Sequence, residues 1–209
     1  MAFAIARVAK IKGMQHLSKA ANHNMRSVSV PNAAPGTSGA IVLAGSDDPA
    51  GDVIARLPVD SNGEIKVRKN AVWAMEHLLT ASPEYFRPDN PEAAGEYDQD
   101  RMEAWKERAM SFLHDRYGDN LAHAVLHLDE ATPHIQALIV PRREDGKLDA
   151  AKLFDPDALV RMQSDYADCM ADLGLERGIE GSKAKHESIK SYYGRVNAPD
   201  PETVSYTHL

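Results

Sequence analysis

The stretch that decides the fold is His127-Leu128-Asp129-Glu130-Ala131-Thr132-Pro133-His134-Ile135-Gln136. Apolar runs flank it on both sides, 121–128 before and 134–140 after, and each reads as a strand. Between them Asp129 to Pro133 supplies two acids, a threonine and a proline, a composition suited to a tight hairpin turn. Alternate side chains of a strand share a face, so His127 points with Val125 and Asp129, and His134 points with Gln136. Folding at the turn sets His127 opposite His134, with Gln136 one step along. Two imidazoles and an amide oxygen then converge, a plausible divalent-metal site with open positions for water and a phosphate oxygen. The plainer reading is a pair of strand histidines that are exposed or satisfied by hydrogen bonds. Against it, the neighbouring residues are apolar, and imidazoles buried among them need partners.

Working outward, residues 2–8 are apolar enough for a buried strand, and Gln15 to Arg26 is helix-compatible. Residues 31–66 hold many prolines and glycines, which predicts loops with at most short elements, 41–44 being the best strand candidate. Residues 70–80 fit strand or helix. The clearest helix runs from Tyr97 to Tyr117, with Met102, Trp105, Ala109, Phe112 and Leu113 at helical spacing and Gly118 as its stop. A second spans about Pro156 to Leu173, with Leu159, Val160, Met162, Tyr166, Met170 and Leu173 as its buried stripe and Gly174 as its cap. The order predicts an α+β fold, a central antiparallel β-sheet with helices packed on it, the metal site lying on a central β-hairpin.

With 43% hydrophobic and 26% charged residues, the 209-residue chain has the composition of a folded soluble protein. No apolar run approaches the roughly 18 residues of a membrane span. The apolar start is short and followed by Lys10 and Lys12, so no signal peptide is read and a cytoplasmic location is expected. A single cysteine, Cys169, excludes an internal disulfide and a cysteine-based zinc site. The net charge of −7 argues mildly against nucleic acid, yet the charge is unevenly spread. Arg7, Lys10, Lys12, Lys19 and Arg26 lie in an opening stretch without acids; Lys66, Arg68 and Lys69 form a second island; Lys183, Lys185, Lys190 and Arg195 form a third. Basic faces on an acidic body can hold DNA, although any one island alone reads as solvated surface. The last six residues, Val204 to Leu209, resemble a translated sequencing adapter, so the natural protein is expected to continue past about Thr203; a genuine polar tail is the alternative. Tyr206 and His208 are therefore set aside.

The hairpin stretch, followed by Val140-Pro141, resembles the third motif of the Mob/Pre (MobV-class) relaxases, plasmid mobilisation and recombination enzymes of the HUH endonuclease superfamily. Arg7-x-x-Lys10-x-Lys12 with His23-Asn24-Met25-Arg26 is similar to the family's first motif, and Arg68-Lys69-Asn70-Ala71-Val72 with Glu76 to its second. A tail motif runs from Gly174 to His186. The resemblance covers residues 1 to about 195 in order, implying a relaxase domain there and a truncated tail over 196–209. It implies an enzyme that nicks one strand of plasmid DNA at an origin of transfer, single-stranded or hairpin, and stays attached to the 5′ phosphate. Metal ligands would be His127, His134 and Gln136, holding Mn²⁺ or Mg²⁺. His23, Arg26, Glu76 and Glu130 would be catalytic: His23 attacks, Glu76 or Glu130 orients or deprotonates it, and Arg26 contacts the phosphate. Asp129 would steady a ligand imidazole. Arg7, Lys10, Lys12, Arg68, Lys69, Lys183 and Lys185 would hold DNA, and a homodimer would form through a C-terminal region outside this chain.

Two departures from the pattern matter. Gln136 stands where the simplest pattern has a second histidine, and a neutral oxygen ligand favours Mn²⁺ or Mg²⁺ over Zn²⁺. Many relaxases use an N-terminal tyrosine, but the first tyrosine here is Tyr85, which leaves His23 as the candidate nucleophile or a helix-surface histidine. The alternatives are a rolling-circle replication initiator using Tyr192 or Tyr193, a DNA-binding module with a structural metal, and a metallohydrolase of small phosphoesters.

Overall fold

The computed structural model describes residues 1–28 and 39–178. Strand β1 (Ala2–Ile11) leads into helix α1 (Gly13–Asn24), then β2 (Ala40–Ala44), α2 (Pro49–Ile54), β3 (Ala74–Ala81) and the single turn α3 (Pro83–Phe86). Helix α4 (Gln99–Tyr117), β4 (Leu121–His127), β5 (His134–Ile139), the short α5 (Ala150–Leu153), α6 (Pro156–Cys169) and β6 (Leu175–Arg177) complete it. Six strands form one sheet in the order β2-β4-β5-β3-β1-β6. All neighbours are antiparallel, as expected of the central sheet, except β1 and β6, which run parallel at one edge.

Side-chain chemistry sets these boundaries. Asp98 accepts from the Arg101 amide at 2.9 Å, which caps α4 and leaves Tyr97 outside it. Asp155 caps α6 in the same way, with Pro156 in the first turn. The second helix ends at Cys169, short of Leu173, and a 3₁₀ turn follows before Gly174 at φ 74°. Its stripe holds for Met162, Tyr166 and Met170 but not for Val160, which is 42% exposed. Within the breaker-rich 31–66 stretch, Asp48 and Pro49 start α2, a helix not expected there. Of the ambiguous 70–80 segment, the part from Ala74 on is strand β3, with buried and half-buried residues alternating from Met75 onward. No helix among the described residues is long and apolar enough to cross a membrane.

The two faces of the sheet differ. One carries Met75, Leu79, Leu126, Ile135 and Ala137 and packs on α4 and α6 to make the larger core. There the Trp105 indole donates to the Tyr166 hydroxyl at 3.0 Å, so the core's largest polar handles satisfy each other. The other face carries Arg7, Leu78, Thr80, Val125, His127, His134 and Gln136, brought level by the registers Arg7↔Leu78↔Gln136↔Val125 and Thr80↔His134↔His127. Leu17 and Ala20 of α1 and Val53 of α2 join Ile11, Ala74, Leu138 and Val140 in a smaller core over part of that face. This packing brings the C-terminal end of α1 to the β4–β5 hairpin.

Candidate metal centre

His127 and His134 face each other as a direct cross-strand pair. The His127 Nε2–H donates to the Asn24 carbonyl at the end of α1 (2.8 Å), and the His134 Nδ1–H donates to the Thr132 carbonyl (3.1 Å). These carbonyls select the tautomers, leaving His127 Nδ1 and His134 Nε2 as lone-pair donors 3.1 Å apart. Burial drives His127 down to about 3, against the pull of its bond to Asn24, so it stays neutral at physiological pH. Two lone pairs aimed at each other repel; a cation turns that repulsion into ligation. Adjacent donors of a six-coordinate ion with bonds near 2.1 Å stand roughly 3 Å apart, which fits the observed spacing.

Other donors complete the set. Ligand atoms of His127, Glu130 and His134 all lie within 4.8 Å of one another. Glu130 Oε1 is 3.8 Å from His134 Nε2. Gln136, on the same face, holds a buried Oε1 with no hydrogen-bond partner among the described residues. Two imidazole nitrogens with carboxylate and amide oxygens suit a hard divalent ion. Sequence reasoning gave Glu130 the role of orienting or deprotonating His23 and did not count it among the candidate ligands, because the turn's conformation, which brings it back toward His134, is not readable from spacing.

His23, in the last turn of α1, has its ring edge-on to His127 with centroids 6.4 Å apart. Burial lowers its pKa, Arg26 and His134 lower it further, and Glu130 and Asp129 oppose them. Its imidazole is therefore held toward the neutral, nucleophilic form beside the histidine pair. Asn24, next in the chain, is fully buried, and neither of its carboxamide atoms has a partner among the described residues. Nothing in the sequence pointed to it beyond its place between His23 and Arg26.

Arg26 corrects an expectation. The helix stops before it, its backbone takes φ 55°, and its side chain turns to the hairpin instead of sharing a helical face with His23. Nε and Nη2 donate to the two oxygens of Asp129 at 2.9 and 2.7 Å, Nη2 also reaches Glu130 Oε1 at 2.7 Å, and Nη1 donates to the His23 carbonyl at 3.2 Å. A bidentate pair of this kind is strong and directional. It occupies the guanidinium that was expected to contact phosphate, and it occupies Asp129, which was expected to hold a ligand imidazole. Burial pushes the Asp129 carboxyl up, but the Arg26 bonds outweigh it and hold the group below its ordinary range. Gly39 packs so closely that a Cβ there would overlap Asp129 Oδ2 and crowd Arg26 Cγ. The turn is also tied from outside, by Thr80 Oγ1 donating to the Pro133 carbonyl (2.6 Å) and Arg87 Nη1 to the Ala131 carbonyl (2.9 Å).

Several expected residues lie elsewhere. Glu76 shares the site face but pairs with Leu138, four residues along from His134, or roughly 13 Å of strand. Its carboxyl is raised by burial, and its charged neighbour is His16, not His23. Arg7 is exposed on the site face, whereas Lys10, opposite Met75, points to the other face. Lys12, at the start of α1, is exposed. Arg68 and Lys69 are exposed before β3, at the end of that strand away from Thr80. Lys183, Lys185, Tyr192 and Tyr193 lie outside the described residues.

Residues 1–194 match the Mob_Pre family, described as plasmid recombination enzyme. The chain belongs to this family. A plasmid recombination enzyme of Lactiplantibacillus plantarum is 28% identical over 92% of the chain and 53% of its own length. A 65 kDa protein of Zymomonas mobilis is 36% identical over 93% of the chain and 33% of its own length. The chain thus spans about a third to a half of these curated relatives. Among solved structures, the Mn-bound MobM relaxase domain (MOBV; Mob_Pre) on 22-nucleotide plasmid pMV158 oriT DNA superposes with a TM-score of 0.75 at 28% identity, over 92% of this chain and 99% of that one. A second form of that domain, with a 3′-thiophosphate DNA, gives the same score over 94% and 100%. The mixed α+β fold and the six-stranded sheet of this Mob_Pre chain are those of a relaxase domain.

Proposed function

We propose that this chain is the catalytic domain of a plasmid mobilisation relaxase, which nicks one strand of plasmid DNA at an origin of transfer and later rejoins it. The observation that carries this reading is the juxtaposition of a neutral nucleophile, His23, with two opposed histidine lone pairs and the Glu130 and Gln136 oxygens. Membership of Mob_Pre and likeness to a Mn-bound relaxase domain on oriT DNA support it.

His127, His134, Glu130 and Gln136 would hold the ion, Mn²⁺ or Mg²⁺ by the hardness of their oxygens. Bound there, a divalent ion supplies a Lewis acid that stabilises negative charge on the scissile phosphate. His23 attacks phosphorus through a ring nitrogen while the bond to the 3′ oxygen breaks. The proton on its other ring nitrogen leaves to solvent, and the departing 3′ oxygen takes one up, giving a free 3′-hydroxyl and a 5′-phosphoramidate. Glu130 and Asp129 stabilise the positive charge that builds on the imidazole during attack. Arg26 fixes the end of α1 against the turn, so nucleophile and ligands share one frame. Attack by the 3′-hydroxyl reverses these steps and rejoins the strand. The basic residues Arg7, Arg68 and Lys69 would contact DNA phosphates.

Three of the four tyrosines among the described residues have their hydroxyls engaged, which supports histidine over them. Tyr85 and Tyr166 are buried with their hydroxyls on the Arg101 and Thr80 carbonyls, and Tyr117 is bonded to His77 and pushed up to about 12 by burial. The test is to incubate the protein with Mn²⁺ and single-stranded origin DNA and isolate the covalent adduct. A phosphoramidate is labile to acid and survives mild alkali; the expected adduct has that behaviour, maps to His23 and disappears in His23→Ala. An acid-stable adduct, or one that persists in His23→Ala, would overturn the assignment.

A further inference from the structure

The turn between β4 and β5 carries Glu130, yet among the described residues no backbone hydrogen bond runs from one of residues 129–133 to another. Side chains hold it instead. The carbonyls of Ala131, Thr132 and Pro133 accept in succession from Arg87 Nη1 (2.9 Å), His134 Nδ1 (3.1 Å) and Thr80 Oγ1 (2.6 Å). His134 and Thr80 stand in strands β5 and β3, whereas Arg87 reaches in from outside the sheet. It follows the single turn α3, whose Tyr85 and Phe86 are buried in the larger core, Phe86 edge-on to Trp105 with centroids 5.3 Å apart. Arg87 is itself only 8% exposed, and no carboxylate lies within ion-pair distance of it among the described residues. Besides Ala131, its guanidinium donates to the Pro91 carbonyl from Nε (2.7 Å) and to the Glu96 carbonyl from Nη1 (3.2 Å). Gly95, at φ 85°, turns its own N–H onto the same Ala131 carbonyl at 3.0 Å. The loop after α3 is thus folded round one guanidinium, and loop and side chain together clasp Ala131.

Burying a cation with only carbonyls for partners is costly, so the contact at its far end calls for a use beyond packing. What Arg87 fixes at Ala131 is the peptide next to Glu130. On the other side of Glu130, Arg26 holds Asp129 and also takes Glu130 Oε1 at 2.7 Å, while His134 Nε2 stands 3.8 Å from that oxygen. With Ala131 released, the turn would follow the charge-assisted bond to Arg26 and draw the carboxylate from the histidine pair. We infer that Arg87 is a positioning residue of the metal centre, holding the Ala131 peptide so that Glu130 stays within reach of a cation on His127 and His134. Residues that orient metal ligands from behind in this way weaken binding by roughly 10–100-fold when they are lost. The inference rests on the metal-centre reading and adds to it a residue 44 positions from the one it holds.

The test is a double-mutant cycle on ion binding by the full chain, without DNA. Co²⁺ is the probe, because these donors hold it more tightly than Mn²⁺ and its visible absorption reports the ligand set. Arg87→Met, an unbranched chain without charge or donor, should weaken Co²⁺ binding about tenfold and alter the absorption, in protein that circular dichroism shows to be folded. In a Glu130→Ala background the same change should shift affinity by less than about twofold, because the group it positions is gone. A packing role alone would lower the melting temperature and leave affinity and spectrum as in wild type. That result overturns the inference, and so does a loss that persists undiminished in the Glu130→Ala background. If Arg87→Met does not fold, Arg87→Lys takes its place in the cycle; it keeps the buried charge without the planar fork and should weaken binding about threefold, judged by the same two outcomes. A wild-type chain that binds no Co²⁺ overturns the metal-centre reading and this inference with it, whereas wild-type binding with unchanged affinity in the Arg87 variant overturns the inference alone.

Discussion

His77 and the pair His127 and His134 are buried histidines on neighbouring strands of one sheet, and their surroundings differ in a single respect. On the α4–α6 face, both ring nitrogens of His77 are used: Nε2 meets the Tyr117 hydroxyl at 2.8 Å and Nδ1 the Met75 carbonyl at 3.3 Å. On the opposite face, His127 and His134 each use one nitrogen on a carbonyl and aim the other at its counterpart. His123, four residues along β4, is a third case: Asp52 holds its Nδ1 at 3.1 Å, and its Nε2 has no partner among the described residues. It belongs to no group of three ligating side chains found among the described residues. A buried histidine with both nitrogens satisfied is part of the packing. One that keeps a lone pair toward other donors is built for a ligand.

This contrast can be broken most directly by exchanging the losses. His134→Ala should lower nicking by roughly 10³-fold, the several kcal/mol that a metal supplies, while leaving the melting temperature within a few degrees of wild type. His77→Ala should do the reverse, costing about 2–4 kcal/mol of stability through a cavity and a stranded tyrosine hydroxyl, with metal affinity retained. Loss of metal binding in a folded His77→Ala protein, or a collapse of the fold in His134→Ala, would erase the distinction between the two faces.

The same contrast predicts a pH signature. Burial holds the folded His77 down at about 4, against an unfolded value near 6.5. Below pH 6.5 the unfolded chain binds a proton that the folded chain refuses. His77 therefore contributes no destabilisation above pH 6.5, and an increasing one, up to about 3 kcal/mol, as pH falls to about 4. Denaturant titrations of wild type and His77→Ala should converge over that window as pH drops. Parallel pH profiles would show that His77 is not held neutral. A smaller effect sharpens the metal side: Gln136→Ala should weaken Mn²⁺ binding about tenfold, and Gln136→His should restore affinity and shift preference toward Zn²⁺. Wild-type affinity and preference in both would remove Gln136 from the ligand set.

Much of this was legible in the sequence because its signals are local. The β4–β5 hairpin is visible as two apolar runs around a polar turn, and period-2 alternation then fixes His127 opposite His134. Helix α4 declares itself by spacing and by Gly118. What escaped depends on contacts between distant segments. Strand β6 is three residues long and forms only by parallel pairing with β1. Arg26 reaches Asp129 across 103 positions, and Gly39 is required by that pair. Glu76 shares the face of the histidines, which alternation reveals, but its distance along the strand follows from register, which alternation leaves open.

The central claim is that His127 Nδ1 and His134 Nε2 are metal ligands, and calorimetric titration with Mn²⁺ measures it without DNA or turnover. The wild-type chain should bind one ion, and His127→Ala and His134→Ala, both folded by circular dichroism, should bind none at the same concentrations. One ion bound with unchanged affinity in either variant would place the metal elsewhere and contradict the account.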